Sequence, residues 1–167
     1  MIRPRVTLLP LASPVDQLWH VLLDLAETLS APWTLIGGQM VLLHALEHGR
    51  VPPQISQDAD VVADVRASQQ ALTDLVAALT AAGFTAATPS TDGVLHRYQR
   101  PADPQPVTID VLAPEGLRGD TRLLRTTPPG RTVQVPGGTQ ALARTELVDV
   151  THEGRTGTLP RPRWWPR

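Results

Sequence analysis

The spacing of apolar residues along the chain alternates between helical and strand-like periods. Leucines recur every three or four residues between positions 18 and 29, and apolar residues do so again between 72 and 79. A nearly all-apolar stretch at 39–48 follows a Gly-Gly pair and stops at Gly49, as is typical of a helix that ends at a glycine. We predict helices at these three segments and a shorter one at 139–144.

Short runs rich in β-branched and other apolar residues lie between the helical segments and predict strands. These runs are 33–36, 58–65, 84–87, 94–99, 107–112, 132–135 and 147–150. The alternation predicts one α/β (α+β) domain over residues 1–154, built from a small mixed, mainly antiparallel sheet flanked by helices.

Proline marks the breaks between these elements. The 17 prolines cluster at 51–53, 100–106, 128–129 and 159–167, and proline neither donates to a strand ladder nor continues a helix. The tail 155–167 holds four arginines and Trp164-Trp165 without periodicity, so we predict that it is irregular. We favour a disordered or partner-docked tail over one whose tryptophans stack on unpaired bases.

Composition narrows the possible chemistry. The chain has 167 residues, a net charge of −1 and no cysteine, which excludes disulfides and thiolate sites. All 15 basic residues are arginine, so a Walker A loop and a lysine Schiff base are excluded as well. Without a long apolar run or a signal-like start, we expect a cytoplasmic protein that does not enter a membrane.

Three carboxylates lie in apolar, β-prone runs. Asp58 and Asp60 are two residues apart and would point to the same face of a strand, and Asp110 on an adjacent strand would add a third. Carboxylate oxygens suit Mg²⁺, and two such ions can support an in-line phosphoryl or nucleotidyl displacement. Gly37 and Gly38 precede a helix, whose free N–H groups and dipole favour a phosphate.

Segments 37–50, 56–62 and 107–114 together resemble the DNA polymerase beta superfamily of nucleotidyltransferases. Within that superfamily they look most like the stand-alone bacterial enzymes related to abortive-infection toxins, over about residues 30–150. Family members often carry Ser or Thr after the glycines, where this chain has Gln39. We expect Gln39 to matter less than the carboxylates. Relatives usually continue into a C-terminal helical region, and the resemblance implies that this region is missing here.

The resemblance implies transfer of a nucleoside monophosphate from an NTP to a hydroxyl, with two Mg²⁺ ions on Asp58, Asp60 and Asp110. Asp110 would lie nearest the attacking hydroxyl, and Ser56 matches a hydroxyl residue common at that position. The acceptor would be the 3′ end of a tRNA or another RNA, a protein side chain or a small antibiotic. A cognate antitoxin is an implied partner. The alternative is a truncated, non-catalytic or partner-dependent nucleotide-binding module.

Two arginines are candidates for phosphate or substrate binding. Arg50 lies in the loop that leads to the Asp pair, and Arg97 lies in the strand before Asp110. Each arginine is equally well explained as a solvated surface charge.

A second pattern suggests a different metal. The residues His44, Glu47 and His48 fit the spacing of inverted zinc peptidases, in which two histidines four apart share a helix face. Those enzymes need a further acidic ligand and a much larger fold. We therefore predict that His44 packs or hydrogen-bonds in the helix and does not bind zinc.

Overall fold

The computed structural model describes residues 2–164, in which nine strands, four α-helices and one 3₁₀ turn follow one another. The first half contains β1 (Arg5–Thr7), α1 (Val15–Thr28), β2 (Trp33–Ile36), α2 (Gly37–Glu47), β3 (Asp58–Ala63) and α3 (Ala71–Ala81). The second half contains β4 (Thr85–Ala86), β5 (Arg97–Arg100), β6 (Val107–Pro114), the 3₁₀ turn Thr121–Leu124, β7 (Gln134–Val135), α4 (Gly138–Ala143), β8 (Thr145–His152) and β9 (Arg155–Pro162).

The larger sheet has six strands. Its order is β2-β3-β6-β5-β4, and β7 pairs with the C-terminal end of β6. Strand β3 runs antiparallel to β2 and parallel to β6, whereas β5 is antiparallel to β6. Every residue of β6 is buried, as expected for a central strand covered on both faces. The central pair β3 and β6 therefore forms a rigid base for the side chains at its rim.

The smaller sheet contains β1, β8 and β9, with β8 and β9 forming an antiparallel hairpin along their full length. The prediction of an irregular tail at 155–167 is wrong for residues 155–162, which form β9. Its prolines are tolerated because β9 lies at the edge of this sheet, where a missing N–H breaks few ladder bonds. Leu159 and Arg161 alternate into the interior and are fully buried. Trp165 lies outside the described residues.

The helices close the core over both sheets. Helix α1 buries Leu18, Trp19 and Leu22 completely and packs against β9 as well as β3 and β6, while α3 packs against β3 and β6. The three long predicted helices and the mixed sheet flanked by helices are confirmed. No helix within residues 2–164 is both long and apolar enough to cross a membrane.

Candidate active site

The register of the central strands brings the predicted carboxylates together. Asp60 of β3 stands directly opposite Asp110 of β6, and Asp58 stands opposite Thr108 on the same ladder. Neighbouring strands lie about 4.8 Å apart, and residues two apart share a face. The three carboxylates therefore occupy one end of one face of the central strand pair.

Arg97 approaches this cluster from the next strand. It pairs with Asp110 across the β5–β6 ladder, and its guanidinium donates from Nε to Asp110 Oδ1 (3.0 Å) and from Nη2 to Oδ2 (3.1 Å). The same Nη2 lies 3.9 Å from Asp58 Oδ2. Hydrogen bonding and charge attraction from Asp110 raise the pKa of Arg97. The sequence placed Arg97 near the site, and the structure gives it a carboxylate partner there.

Asp60 carries the electrostatic strain of the cluster. Burial, followed by the negative charges of Asp110 and Asp58, raises the pKa of the Asp60 carboxyl to about 6. Arg97 opposes this shift but does not cancel it. A carboxyl with this pKa is close to half protonated near pH 6, and any cation that reaches it stabilises its charged form.

The two glycines allow the start of α2 to approach the carboxylates closely. A Cβ on Gly37 would lie 2.4 Å from Asp60 Oδ2, and a Cβ on Gly38 would lie 2.4 Å from the Cβ of Ser56. Gly37 also has a φ of +70°, a backbone conformation that residues other than glycine rarely adopt. The N-cap residue of this helix, Ile36, makes no side-chain cap hydrogen bond, and the first N–H groups of a helix have no partner within the helix.

Gln39 is a residue whose role the sequence did not suggest. Its amide is fully buried; its oxygen accepts from Trp19 Nε1 (3.0 Å), and its nitrogen donates to the carbonyls of Ser56 (2.7 Å) and Asp58 (3.1 Å). The Ser56 hydroxyl also donates to the Asp58 carbonyl, at 3.2 Å. Gln39 therefore fixes the backbone from which Asp58 projects. The signal in the sequence is one amide in the first turn of a helix whose next four residues are apolar.

Arg50 lies apart from the glycines. It follows the C-terminal end of α2, about 15 Å along the helix from Gly37 at 1.5 Å per residue. There it lines an open groove of about 740 Å³ together with residues that include His44, His48 and Trp164. The structure thus brings Arg97, but not Arg50, into contact with the carboxylates.

The three residues of the zinc-peptidase pattern have other partners. His44 Nε2 donates to the Pro162 carbonyl (2.9 Å), and Glu47 forms an ion pair with the buried Arg161. His48 Nδ1 donates to the His44 carbonyl (2.8 Å). Burial and then the charge of Arg161 lower the pKa of His44. The contacts of His44 with Pro162 and of Glu47 with Arg161 fasten α2 to β9.

A comparison with solved structures gives a fold relationship. A nucleotidyltransferase-like antigenic protein from Paracoccidioides brasiliensis superposes with a TM-score of 0.52 at 19% sequence identity. The chain has a nucleotidyltransferase-like fold. The match covers 90% of this chain and 62% of that protein. No protein-family model and no curated protein sequence matches the chain, so the likeness to abortive-infection toxins stays a prediction.

Proposed function

We propose that the chain is a metal-dependent nucleotidyltransferase that moves a nucleoside monophosphate from an NTP to a hydroxyl group. In this reaction the acceptor oxygen forms a bond to the α-phosphorus, the bond from that phosphorus to the bridging oxygen of pyrophosphate breaks, and the hydroxyl loses its proton. The observation that carries the proposal is the pairing of Asp60 with Asp110 across β3 and β6, with Asp58 on the same face. The nucleotidyltransferase-like fold supports the same class of reaction.

The donor set fits Mg²⁺ in its chemistry. Three carboxylates offer hard oxygen ligands. The raised pKa of Asp60 comes from burial and then from the negative charges of Asp110 and Asp58, and a divalent cation would oppose this shift. Asp110 is held by Arg97, so this carboxylate would have to turn to share an ion with Asp60. Bound magnesium, as two ions, would neutralise the triphosphate and favour ionisation of the acceptor hydroxyl.

Side chains and backbone N–H groups of the chain would bind the metal, the triphosphate and the acceptor. Asp58 and Asp60 would hold the metal on β3, and Asp110 would lie on the side of the acceptor hydroxyl. The N–H groups at Gly37 and Gly38 would bind the triphosphate, because the absence of side chains there leaves room for phosphate oxygens. Ser56 lies against Gly38 and would contact a phosphate or a carboxylate. Arg97 would exchange its bond to Asp110 for a phosphate contact when the nucleotide binds.

The acceptor follows from the predicted resemblance. We propose the 3′ end of a tRNA or another RNA, with a protein side chain or a small antibiotic as the further options. A cognate antitoxin would accompany the RNA-modifying function. Arg50 would contact such a large acceptor, since it lies in the groove at the far end of α2 and not at the carboxylates.

A second candidate is a nucleotide-binding module that acts without catalysis or with a partner. The bidentate pair between Arg97 and Asp110 favours it, because a guanidinium already satisfies the third carboxylate. The two candidates share the binding of NTP and differ in turnover.

The test is a transfer assay with each of the four NTPs, labelled at the α-phosphate, in the presence of Mg²⁺ and total RNA. Parallel reactions contain a protein extract or a small antibiotic as the acceptor. We expect labelled product with one acceptor, and a loss on the order of 10²–10⁴-fold in Asp58→Asn and Asp60→Asn. The matched control is Asp92→Asn, an exposed carboxylate in the loop between β4 and β5, which should keep full activity.

Thermal unfolding of the same proteins separates the candidates. Binding of NTP and Mg²⁺ at about a hundred times the dissociation constant adds roughly 2.7 kcal/mol to stability. A shift in melting temperature without turnover would support the binding module. A protein that shows neither a shift nor transfer would contradict both candidates.

A further inference from the structure

A second cluster of side chains that could ligate a metal lies between α1 and the smaller sheet. Asp16 and His20 are one turn apart on α1, and His152 and Glu153 come from the end of β8 and the turn that follows it. One ligand atom from each of the four side chains lies within 4.8 Å of all the others. The cluster shares no residue with the carboxylate site on β3 and β6.

Three of the six distances between ligand atoms in the cluster can be compared with those of a tetrahedral site. Asp16 Oδ1 lies 2.6 Å from His152 Nε2 and 3.7 Å from His20 Nε2, and Glu153 Oε2 lies 3.0 Å from His20 Nε2. Ligand atoms that each lie about 2.05 Å from a zinc ion in tetrahedral geometry are about 3.3 Å apart. These three pairs would each have to change by about 0.7 Å or less, and the other three pairs of ligand atoms lie within 4.8 Å of one another.

The two histidines present the same ring nitrogen to the cluster. The Nε2 atoms of His20 and His152 both face the carboxylates, and the two rings are tilted with their centroids 4.8 Å apart. His152 is 1% exposed, whereas the His20 side chain is 36% exposed and the Glu153 side chain 57%. One ligand is thus fixed in the interior while the others are open to an ion arriving from solvent.

The turn that carries Glu153 is unusual for its sequence. Glu153 has a φ of +51° and is followed by Gly154 at +77°, which are positions where a two-residue hairpin favours Asn or Asp followed by Gly. This conformation directs the Glu153 carboxylate to His20. The positively charged residue nearest to Glu153 in the sequence is Arg155, and its guanidinium forms ion pairs with Asp24 and Glu27.

We propose that Asp16, His20, His152 and Glu153 bind one Zn²⁺ ion, which fastens the first turns of α1 to the β8–β9 hairpin. Two imidazole nitrogens with two carboxylate oxygens in tetrahedral array suit Zn²⁺, whereas Mg²⁺ and Ca²⁺ prefer oxygen ligands alone. The ion is structural, because all four positions of the tetrahedron come from the protein. This site is independent of nucleotidyl transfer.

The test uses tag-free protein equilibrated with Zn²⁺ and then dialysed, with the metal measured by elemental analysis. We expect one Zn²⁺ per chain, a rise in melting temperature with Zn²⁺ that persists in Asp60→Asn, and the visible absorption of tetrahedral Co²⁺ after substitution. His20→Ala and Glu153→Ala change exposed ligands and should leave the fold intact while abolishing all three signals. His152→Ala is avoided as the primary variant because its side chain is buried.

Two controls make the result specific. His48→Ala removes a histidine of the α2 pattern, and Asp60→Asn removes a carboxylate of the candidate active site; both variants should keep the zinc. The proposal is overturned if the wild-type chain holds no stoichiometric zinc. It is equally overturned if zinc survives in both His20→Ala and Glu153→Ala, since the ion would then lie elsewhere.

Discussion

Replacing Asp60 by Asn should stabilise the protein at neutral and alkaline pH. The Asp60 carboxylate is partly buried and faces the negative charges of Asp110 and Asp58. A chelator in the buffer ensures that no metal ion offsets these charges during the measurement. Asparagine keeps the shape of the side chain and removes the charge. The substitution that should abolish nucleotidyl transfer is therefore expected to make the fold more stable.

The magnitude follows from the pKa. A rise from 3.8 to about 6 corresponds to about 3 kcal/mol at 1.36 kcal/mol per tenfold change in proton affinity. Solvent reaches part of the side chain and screens the repulsion, so a gain of about 1–2 kcal/mol is expected. For a chain of this length, each kcal/mol moves the melting temperature by about 2–4 °C. The variant should therefore melt about 2–8 °C above the wild type at pH 8.

The pH dependence identifies the cause. A raised carboxyl pKa means that the folded state binds the proton more tightly than the unfolded state, so the wild type loses stability as pH rises from about 4 to about 6. Above about pH 7 this loss is complete and constant. The advantage of Asp60→Asn should thus be full at pH 8 and fall to about a third of that value at pH 4.5.

Urea unfolding of both proteins at pH 4.5, 6 and 8 measures this difference. The exposed Asp92→Asn variant is the control and should follow the wild type within about 0.5 kcal/mol at each pH. The reasoning would be refuted if Asp60→Asn were no more stable than the wild type at pH 8. A gain of equal size at all three pH values would also refute it, because the effect would then not come from ionisation.

Three further variants test the surroundings of the cluster. Gly37→Ala should lose about 1–3 kcal/mol in urea unfolding because its Cβ would collide with Asp60 at a positive φ; an unchanged midpoint would contradict the close approach. Gln39→Ala breaks three hydrogen bonds of a buried amide and should cost about 2–3 kcal/mol, whereas Gln39→Glu at low pH should recover part of that loss. Arg97→Ala leaves Asp110 buried without its partner and should cost about 1–2 kcal/mol of stability. Mg²⁺ should raise the melting temperature of this variant by more than it raises that of the wild type.

The elements with strong periodicity could be predicted from the sequence. The apolar repeat at 72–79 becomes α3 with little change in its bounds, because a helix face is defined by local spacing alone. Strand β9 could not be predicted, since its two prolines argue against a strand unless its edge position is known. That position depends on which strand pairs with β8 and is therefore a tertiary property.

In the candidate site, too, some features follow from local sequence spacing and others depend on how the strands pair. The shared face of Asp58 and Asp60 follows from the period of a strand and needs no structure. The pairing of Arg97 with Asp110 depends on the register between β5 and β6, and a slip of one residue would turn Arg97 to the other face of the sheet. The sequence carries no local signal for that register.

Gln39 shows how a residue type is interpreted differently once its surroundings are known. From the sequence alone, Gln39 is a departure from the hydroxyl residue expected after the glycines and is expected to matter less than the carboxylates. In the structure its amide joins Trp19 of α1 to the carbonyls of Ser56 and Asp58. A hydroxyl at this position would be too short to reach all three groups. Gln39 thus stands where a hydroxyl residue would contact phosphate, and it supports the backbone of Asp58 instead.

Asp60 connects the fold to the proposed chemistry. Its carboxylate is held against Gly37 by the start of α2 and against Asp110 by the register of β3 and β6, so its charge is unfavourable at neutral pH. A cation bound there would restore the stability lost through ionisation, and the same interaction would raise the affinity for that cation. The strain at Asp60 is therefore the physical reason to expect that metal binding and folding are coupled. A melting temperature that rises with Mg²⁺ in the wild type but not in Asp60→Asn would demonstrate the coupling, and an equal rise in both would place the ion elsewhere.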